Sequence, residues 1–238
     1  MKPRLEGNLA VIHAEAGTEF SLLRSKSTLI YMLIAVPIVA ILLFVTVRPV
    51  LVLPRIRLAP GYLLVNQDGQ RVSHESFRGH IVLYNTVFTD CGDVCASSWA
   101  LMADLQRELA ALNSEIPIDL VTISVDPADT PERLAAYAED NGVDTSRWHL
   151  LTGDPDQIKY MVGAGFYTYY TVEADTVKLE PSLMIVDGVG ILRAEYRRGI
   201  PSVADALRDI DLLLTEARNS TGITKYAYEA AHLFLCYP

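Results

Sequence analysis

The sequence predicts an α/β domain with a mixed central sheet, preceded by one apolar helix of membrane-spanning length. Three observations carry that prediction. Ser27 to Val47 is a run of twenty-one residues without a charge. His80–Phe88 and Ile118–Val125 are mostly apolar segments rich in β-branched and aromatic residues, as in strands buried on both faces. Each is followed by a stretch with helical spacing or helix-start signals.

The apolar run reads STLIYMLIAVPIVAILLFVTV. At about 1.5 Å per residue it crosses a hydrocarbon core of roughly 30 Å. Buried core helices seldom reach that length without a charge. Pro37 falls mid-run, where a kink is tolerated. The bulky VRPVLVLPRIRL follows, in place of the small-residue site of a cleaved leader. A single-pass anchor in contact with membrane lipid is therefore expected over 27–47. Arg24 and Lys26 flank one end and Arg48, Arg55 and Arg57 the other, so basic residues do not orient it. Residues 1–26 form an N-terminal segment, in which GTEFSLLRSK is read as a short interfacial turn.

Residues 48–59 read as a stiff linker with Pro49 and Pro54, and the domain is placed at 60–218. YLLVNQDGQRVS predicts a hairpin about Asp68-Gly69, followed by the strand His80–Phe88. Trp99, Leu101, Leu105, Leu109 and Leu112 fall near helical spacing, with Arg107 and Glu108 off that stripe. After the strand Ile118–Val125, Asp129-Thr130-Pro131-Glu132 opens a helix through Asn141-Gly142. Asp154-Pro155 starts a short helix, SLMIVD and GILRAEYR form a closing hairpin, and a last amphipathic helix covers Ser202 to Arg218. A thioredoxin-like fold fits this order. Residues 219–238 are a tail, aromatic and apolar, that caps the domain or docks on a partner.

The chain carries a net charge of −9 and shows no basic cluster, which excludes nucleic acid as an expected partner. Of its three cysteines, Cys91 and Cys95 share the corner FTDCGDVCASS, where a strand hands over to a helix. The unpaired N–H groups and positive end of that helix favour a thiolate. Cysteines four apart lie on one helical face, where they converge on one metal ion or close a disulfide. Soft thiolates select Cu(I) or zinc. Two packed thiols are the plainer alternative. Asp93 between them opposes thiolate formation. Cys236 is left over and is expected to be a quiet packed thiol.

From Tyr62 to Gly153 the chain resembles the Sco/SenC family of copper-delivery proteins. NQDGQRVSHESFRGHIVLYNTVFTDCGDVC is similar to that family's entry hairpin, buried strand and T-x-C-x-x-x-C corner. TISVDPADTPERLAAYAE is similar to its S-V-D-P…D-T-P-E motif, one residue short between Pro127 and Asp129, and WHLLTG matches a further stretch. The resemblance implies a thioredoxin fold facing the periplasm or mitochondrial intermembrane space. It also implies Cu(I) held by Cys91 and Cys95. The implied role is assembly of the copper centre of a cytochrome oxidase, with an oxidase subunit or other respiratory membrane protein as partner.

One family feature is missing. The third copper ligand is a histidine before the closing hairpin, and TVEADTVKLEPSLMIVDGVG contains none. His13, His74, His80, His149 and His232 are each read as ordinary, and Glu173, Asp175 and Glu180 are poor ligands for cuprous copper. Pro181 stands near the histidine's place. L-E-P-S-L-M-I-V resembles the thioredoxin segment whose cis proline faces the cysteines, so a cis Glu180–Pro181 bond is expected. The pair therefore reads as redox-capable first and copper-binding second. Two competing readings are a general membrane-anchored thiol–disulfide oxidoreductase and a non-catalytic accessory subunit of a membrane respiratory complex. A peroxiredoxin is disfavoured, because Thr89 lies two residues before Cys91 rather than three.

Overall fold

A computed structural model describes residues 7–47, 50–173, 176–197, 199–222 and 224–234. Met1–Pro49 and Val50–Pro238 form two separate compact units. The first contains helix α1 (Gly7–Val47), which includes Pro37 and runs back through GTEFSLLRSK without a break. Its Ser27–Val47 portion is long and apolar enough to cross a membrane.

The second unit is an α/β domain. Its elements are β1 (Arg57–Leu58), β2 (Leu63–Asn66), β3 (Arg71–Ser73), β4 (Ile81–Val87), α2 (Asp93–Ala111), β5 (Ile118–Ser124), α3 (Pro131–Asp140) and β6 (Trp148–Thr152). Then come α4 (Pro155–Lys159), a π-helical turn (Tyr160–Gly165), β7 (Tyr170–Glu173), β8 (Thr176–Leu179), β9 (Leu183–Val186), β10 (Ile191–Tyr196), α5 (Val203–Arg218) and α6 (Thr224–Phe234). Eight strands form one sheet in the order β1-β10-β9-β4-β5-β6-β2-β3, and β7 and β8 pair separately. β4, β5 and β6 run parallel, joined by the crossover helices α2 and α3, while β9 pairs antiparallel with β4. This is the mixed, helix-flanked sheet of a thioredoxin-like fold.

Every residue of β4 is buried, because alternate side chains enter cores on opposite faces of the sheet. Leu83, with Leu105, Leu134 and Ile210, belongs to the core beneath α2, α3 and α5. Val82 and Tyr84 belong to the other core, with Ile158, Met161 and Phe166. Helix starts follow the expected chemistry. Thr130 accepts from the Arg133 N–H with Pro131 behind it, and Ser202 accepts from the Asp205 N–H.

Four features depart from the reading of the sequence. WHLLT is strand β6, which packs between β5 and β2. Within the expected linker, Arg57–Leu58 adds an edge strand against β10. The segment where the family's third ligand would stand folds as the β7–β8 hairpin, and Asp175 lies outside the described residues. Among the described residues every peptide bond is trans, so the expectation of a cis Glu180–Pro181 bond is corrected. The trans form is the ordinary preference of X–Pro bonds, and Pro181 leads directly into β9.

The tail folds back on its own domain. His232 Nε2 lies 2.9 Å from Glu216 on α5, and Glu229 pairs with Arg55 at 3.2 Å. Glu216 also receives the buried Arg193 guanidinium, which Asp187 shares and which donates to the Leu53 and Pro54 carbonyls. The last helix and residues 53–55 are thus tied to one buried cation. Cys236 lies outside the described residues.

Candidate functional site

β4 ends at Val87 and the chain turns sharply before α2. The Cys91 N–H donates to the Phe88 carbonyl (3.1 Å), and the Val94 N–H to the Cys91 carbonyl (3.3 Å). Gly92 precedes the helix with φ +54° and ψ −136°, a conformation open to glycine and costly for other residues. No side chain caps this helix end, so its N–H groups and positive pole are directed at the corner.

The corner brings Cys91 and Cys95 together in a disulfide, with Cα atoms 5.5 Å apart, inside the ordinary range for such a bond. Both are buried, at 6% and 3% exposure, in the core that includes Phe88, Val125, Met161, Phe166 and Leu179. Asp90, Gly92, Asp93 and Val94 around Cys91 are exposed. The turn is therefore open while its sulfurs face inward.

A chain of buried hydrogen bonds fixes α2 on the sheet one turn beyond Cys95. Asn85 Nδ2 donates to Ser98 Oγ (3.0 Å), Thr122 Oγ1 donates to Asn85 Oδ1 (2.6 Å), and Trp148 Nε1 donates to Thr122 Oγ1 (2.8 Å). The turn before Cys91 is held by Asp129, a residue that sequence reasoning placed in a helix-start motif and in the family-like D-T-P-E run, without a partner. Its fully buried carboxylate accepts from the Thr89 N–H (3.0 Å), Thr89 Oγ1 (2.5 Å) and Ser124 Oγ (2.5 Å). Arg133 approaches the same carboxylate and also reaches Asp90 at 2.6 Å. The D-T-P-E run was the available signal, but its contact with Thr89 spans forty residues. At the same end of the sheet, a cleft of about 470 Å³ is lined by Val125, Pro127, Ile158, Lys159, Tyr170 and Val172, among others.

None of the described histidines joins the cysteines in a metal cluster. No group of three or more His, Cys, Asp or Glu side chains able to hold a metal occurs among the described residues. His74 pairs with Glu75 and accepts from the Tyr62 N–H. His80 Nδ1 lies 2.5 Å from Asp119 Oδ2, and His149 Nε2 lies 3.6 Å from Asp119 Oδ1, at the opposite end of β5. Burial pushes the Asp119 carboxyl up, but the neighbouring His149 and His80 rings outweigh this and hold it below the ordinary carboxylate value. The His13 side chain lies outside the described residues. Glu180 is exposed.

Residues 54–209 match the SCO1/SenC family. The chain belongs to the SCO1/SenC family. A SCO1 protein homolog of Bacillus subtilis is 39% identical over 89 residues, which cover 37% of this chain and 45% of that relative, under half its length. BsSco, a solved structure described as a member of the Sco family of cytochrome c oxidase assembly proteins with a disulfide switch, superposes with a TM-score of 0.61. It is 29% identical and covers 69% of this chain and 98% of its own. Arabidopsis thaliana ScoI with copper bound superposes with a TM-score of 0.56 at 25% identity, over 68% of this chain and 98% of its own.

The donors of this SCO1/SenC domain fit one form of the metal. Two thiolates, freed when the disulfide is reduced, suit Cu(I), a soft ion. Cu(II) calls for nitrogen or oxygen donors in a tetragonal set, which the described corner does not offer.

Proposed function

We propose that this SCO1/SenC protein is a membrane-anchored assembly factor for a copper-containing cytochrome oxidase, working first by thiol–disulfide exchange and second by carrying Cu(I). Ser27–Val47 is the anchor, and the domain faces the periplasm or the mitochondrial intermembrane space. The observation that carries the reading is the Cys91–Cys95 disulfide at an uncapped helix N-terminus. The C-x-x-x-C corner of a family whose member BsSco is described with a disulfide switch supports it.

In the exchange, a thiol reductant first opens the disulfide, giving two thiols. The Cys91 thiolate, next to the exposed Gly92, attacks one sulfur of the partner's disulfide and releases the other as a thiolate. Cys95 then attacks Cys91 Sγ, the mixed disulfide breaks, and the partner leaves as a dithiol with two electrons gained. The helix end stabilises the thiolate at each step. In the reduced state the same two sulfurs hold Cu(I) as cargo. Loss of the family histidine removes a nitrogen donor from the metal and nothing from the exchange.

The test uses the full chain in detergent across a glutathione series, followed by Cu(I) titration against a competing chelator. A pair that interconverts between disulfide and dithiol supports exchange, and a pair locked in one state overturns it. A Cu(I) affinity at least a hundredfold above that of the Cys91→Ser/Cys95→Ser double variant supports the cargo role. Equal affinities overturn it.

A further inference from the structure

We infer that Asp129 is a positioning residue for the redox pair, holding the Thr89–Cys91 turn where the two sulfurs meet. This rests on the reading of Cys91 and Cys95 as a thiol–disulfide couple. The disulfide needs both of its ends in place. Cys95 is fixed within α2, which the Asn85–Ser98 hydrogen bond pins to β4. Cys91 lies outside any helix or strand, in a turn with exposed neighbours, and its local bonds are only those of the turn itself. Besides the packing of Cys91 in the core, the buried polar contacts that tie this turn to the rest of the domain run to Asp129, through Thr89 two residues earlier.

An ionised carboxylate only accepts hydrogen bonds, and Asp129 uses both oxygens. Oδ2 takes the Thr89 N–H and the Ser124 hydroxyl, while Oδ1 takes the Thr89 hydroxyl and faces Arg133 Nε at 3.4 Å. The side chain has no exposure, so water does not replace a lost bond. Its backbone is anchored as well. The Asp129 N–H donates to the Asp126 carbonyl (3.1 Å), and Thr152 Oγ1 donates to the Asp129 carbonyl (2.7 Å). One residue thereby joins β5, β6, the start of α3 and the cysteine turn. The exposed Asp90–Arg133 pair is a second, weaker clasp on the same turn.

Closing the disulfide is a ring closure, favoured in proportion to how well the two ends are pre-positioned. Freeing the turn raises the entropy cost of closure and shifts the couple toward the dithiol. Two glutathione thiols give up two electrons and two protons and become one glutathione disulfide, while the Cys91–Cys95 bond becomes two thiols.

The experiment equilibrates the full chain in detergent across a glutathione series and traps free thiols by alkylation. Asp129→Asn, which places amide hydrogens against existing donors, is expected to shift the equilibrium about tenfold toward the dithiol, equivalent to about 30 mV. Thr89→Val keeps the N–H but loses the hydroxyl and is expected to shift it about threefold, whereas Thr89→Ser restores the wild-type midpoint. Asp119→Asn removes a buried carboxylate at the far end of β5 and is expected to lower stability without moving the midpoint. If Asp129→Asn does not fold, the Thr89 pair carries the test.

An Asp129→Asn midpoint within twofold of wild type overturns the positioning role, as does an equal shift in Asp119→Asn. A Thr89→Val midpoint unchanged from wild type also counts against it. A wild-type couple that does not titrate at all overturns the redox reading itself and the role of Asp129 with it.

Discussion

Strand β5 has a buried carboxylate near each end, and the two are satisfied by different chemistry. At its start, Asp119 sits between His80 and His149, with Arg147 at 3.6 Å. Just past its other end, Asp129 sits among a backbone N–H, two hydroxyls and a guanidinium. The cysteine corner is thus braced by fixed hydroxyl and amide donors, whereas the histidines gather at the far end of the strand, away from the cysteines.

The largest effect is expected from emptying the redox-end site. Asp129→Ala leaves the Thr89 N–H and the Thr89 and Ser124 hydroxyls without their acceptor, and denaturant unfolding at pH 7 is expected to show a loss of about 3–5 kcal/mol. A loss below about 1 kcal/mol would mean that the carboxylate is not the brace described. At the other end, Asp119→Asn is expected to cost about 1–3 kcal/mol at pH 7. It is also expected to change the acid limb of the stability curve. The folded Asp119 value is depressed, so its contribution is complete above the unfolded carboxylate value of about 3.9 and is lost as pH falls through the lower folded value. Wild type should therefore lose stability more steeply than Asp119→Asn below about pH 4. Parallel curves would remove the electrostatic half of the comparison.

Two smaller changes sharpen the view of the cysteine end. Gly92→Ala forces a side chain into positive φ and is expected to cost about 1–2 kcal/mol, although open space surrounds the position. An unchanged midpoint of unfolding would show that the turn relaxes freely. Arg133→Gln breaks the exposed contact with Asp90 and is expected to cost only a few tenths of a kcal/mol in the same measurement. A loss near that of Asp129→Ala would mean that the guanidinium, rather than the hydroxyls, compensates the buried charge.

The sequence by itself determined whatever depends on neighbours along the chain. The uninterrupted apolar run of 27–47, the apolar strands β4 and β5, the Thr130-Pro131 and Ser202 helix starts and the cysteine spacing were all legible. Each follows from periodicity, capping or reach over a few residues. Tertiary structure decided what depends on residues far apart in the chain. WHLLT becomes a strand because β5 and β2 offer it two edges, and the tail becomes a cap because Glu216 and Arg55 meet it. The trans state of Pro181 follows the ordinary local preference of X–Pro bonds, and the contrary expectation came from analogy alone. Asp129 is the clearest case: its spacing identifies a helix start, and only the folded sheet brings Thr89 and Ser124 to its carboxylate.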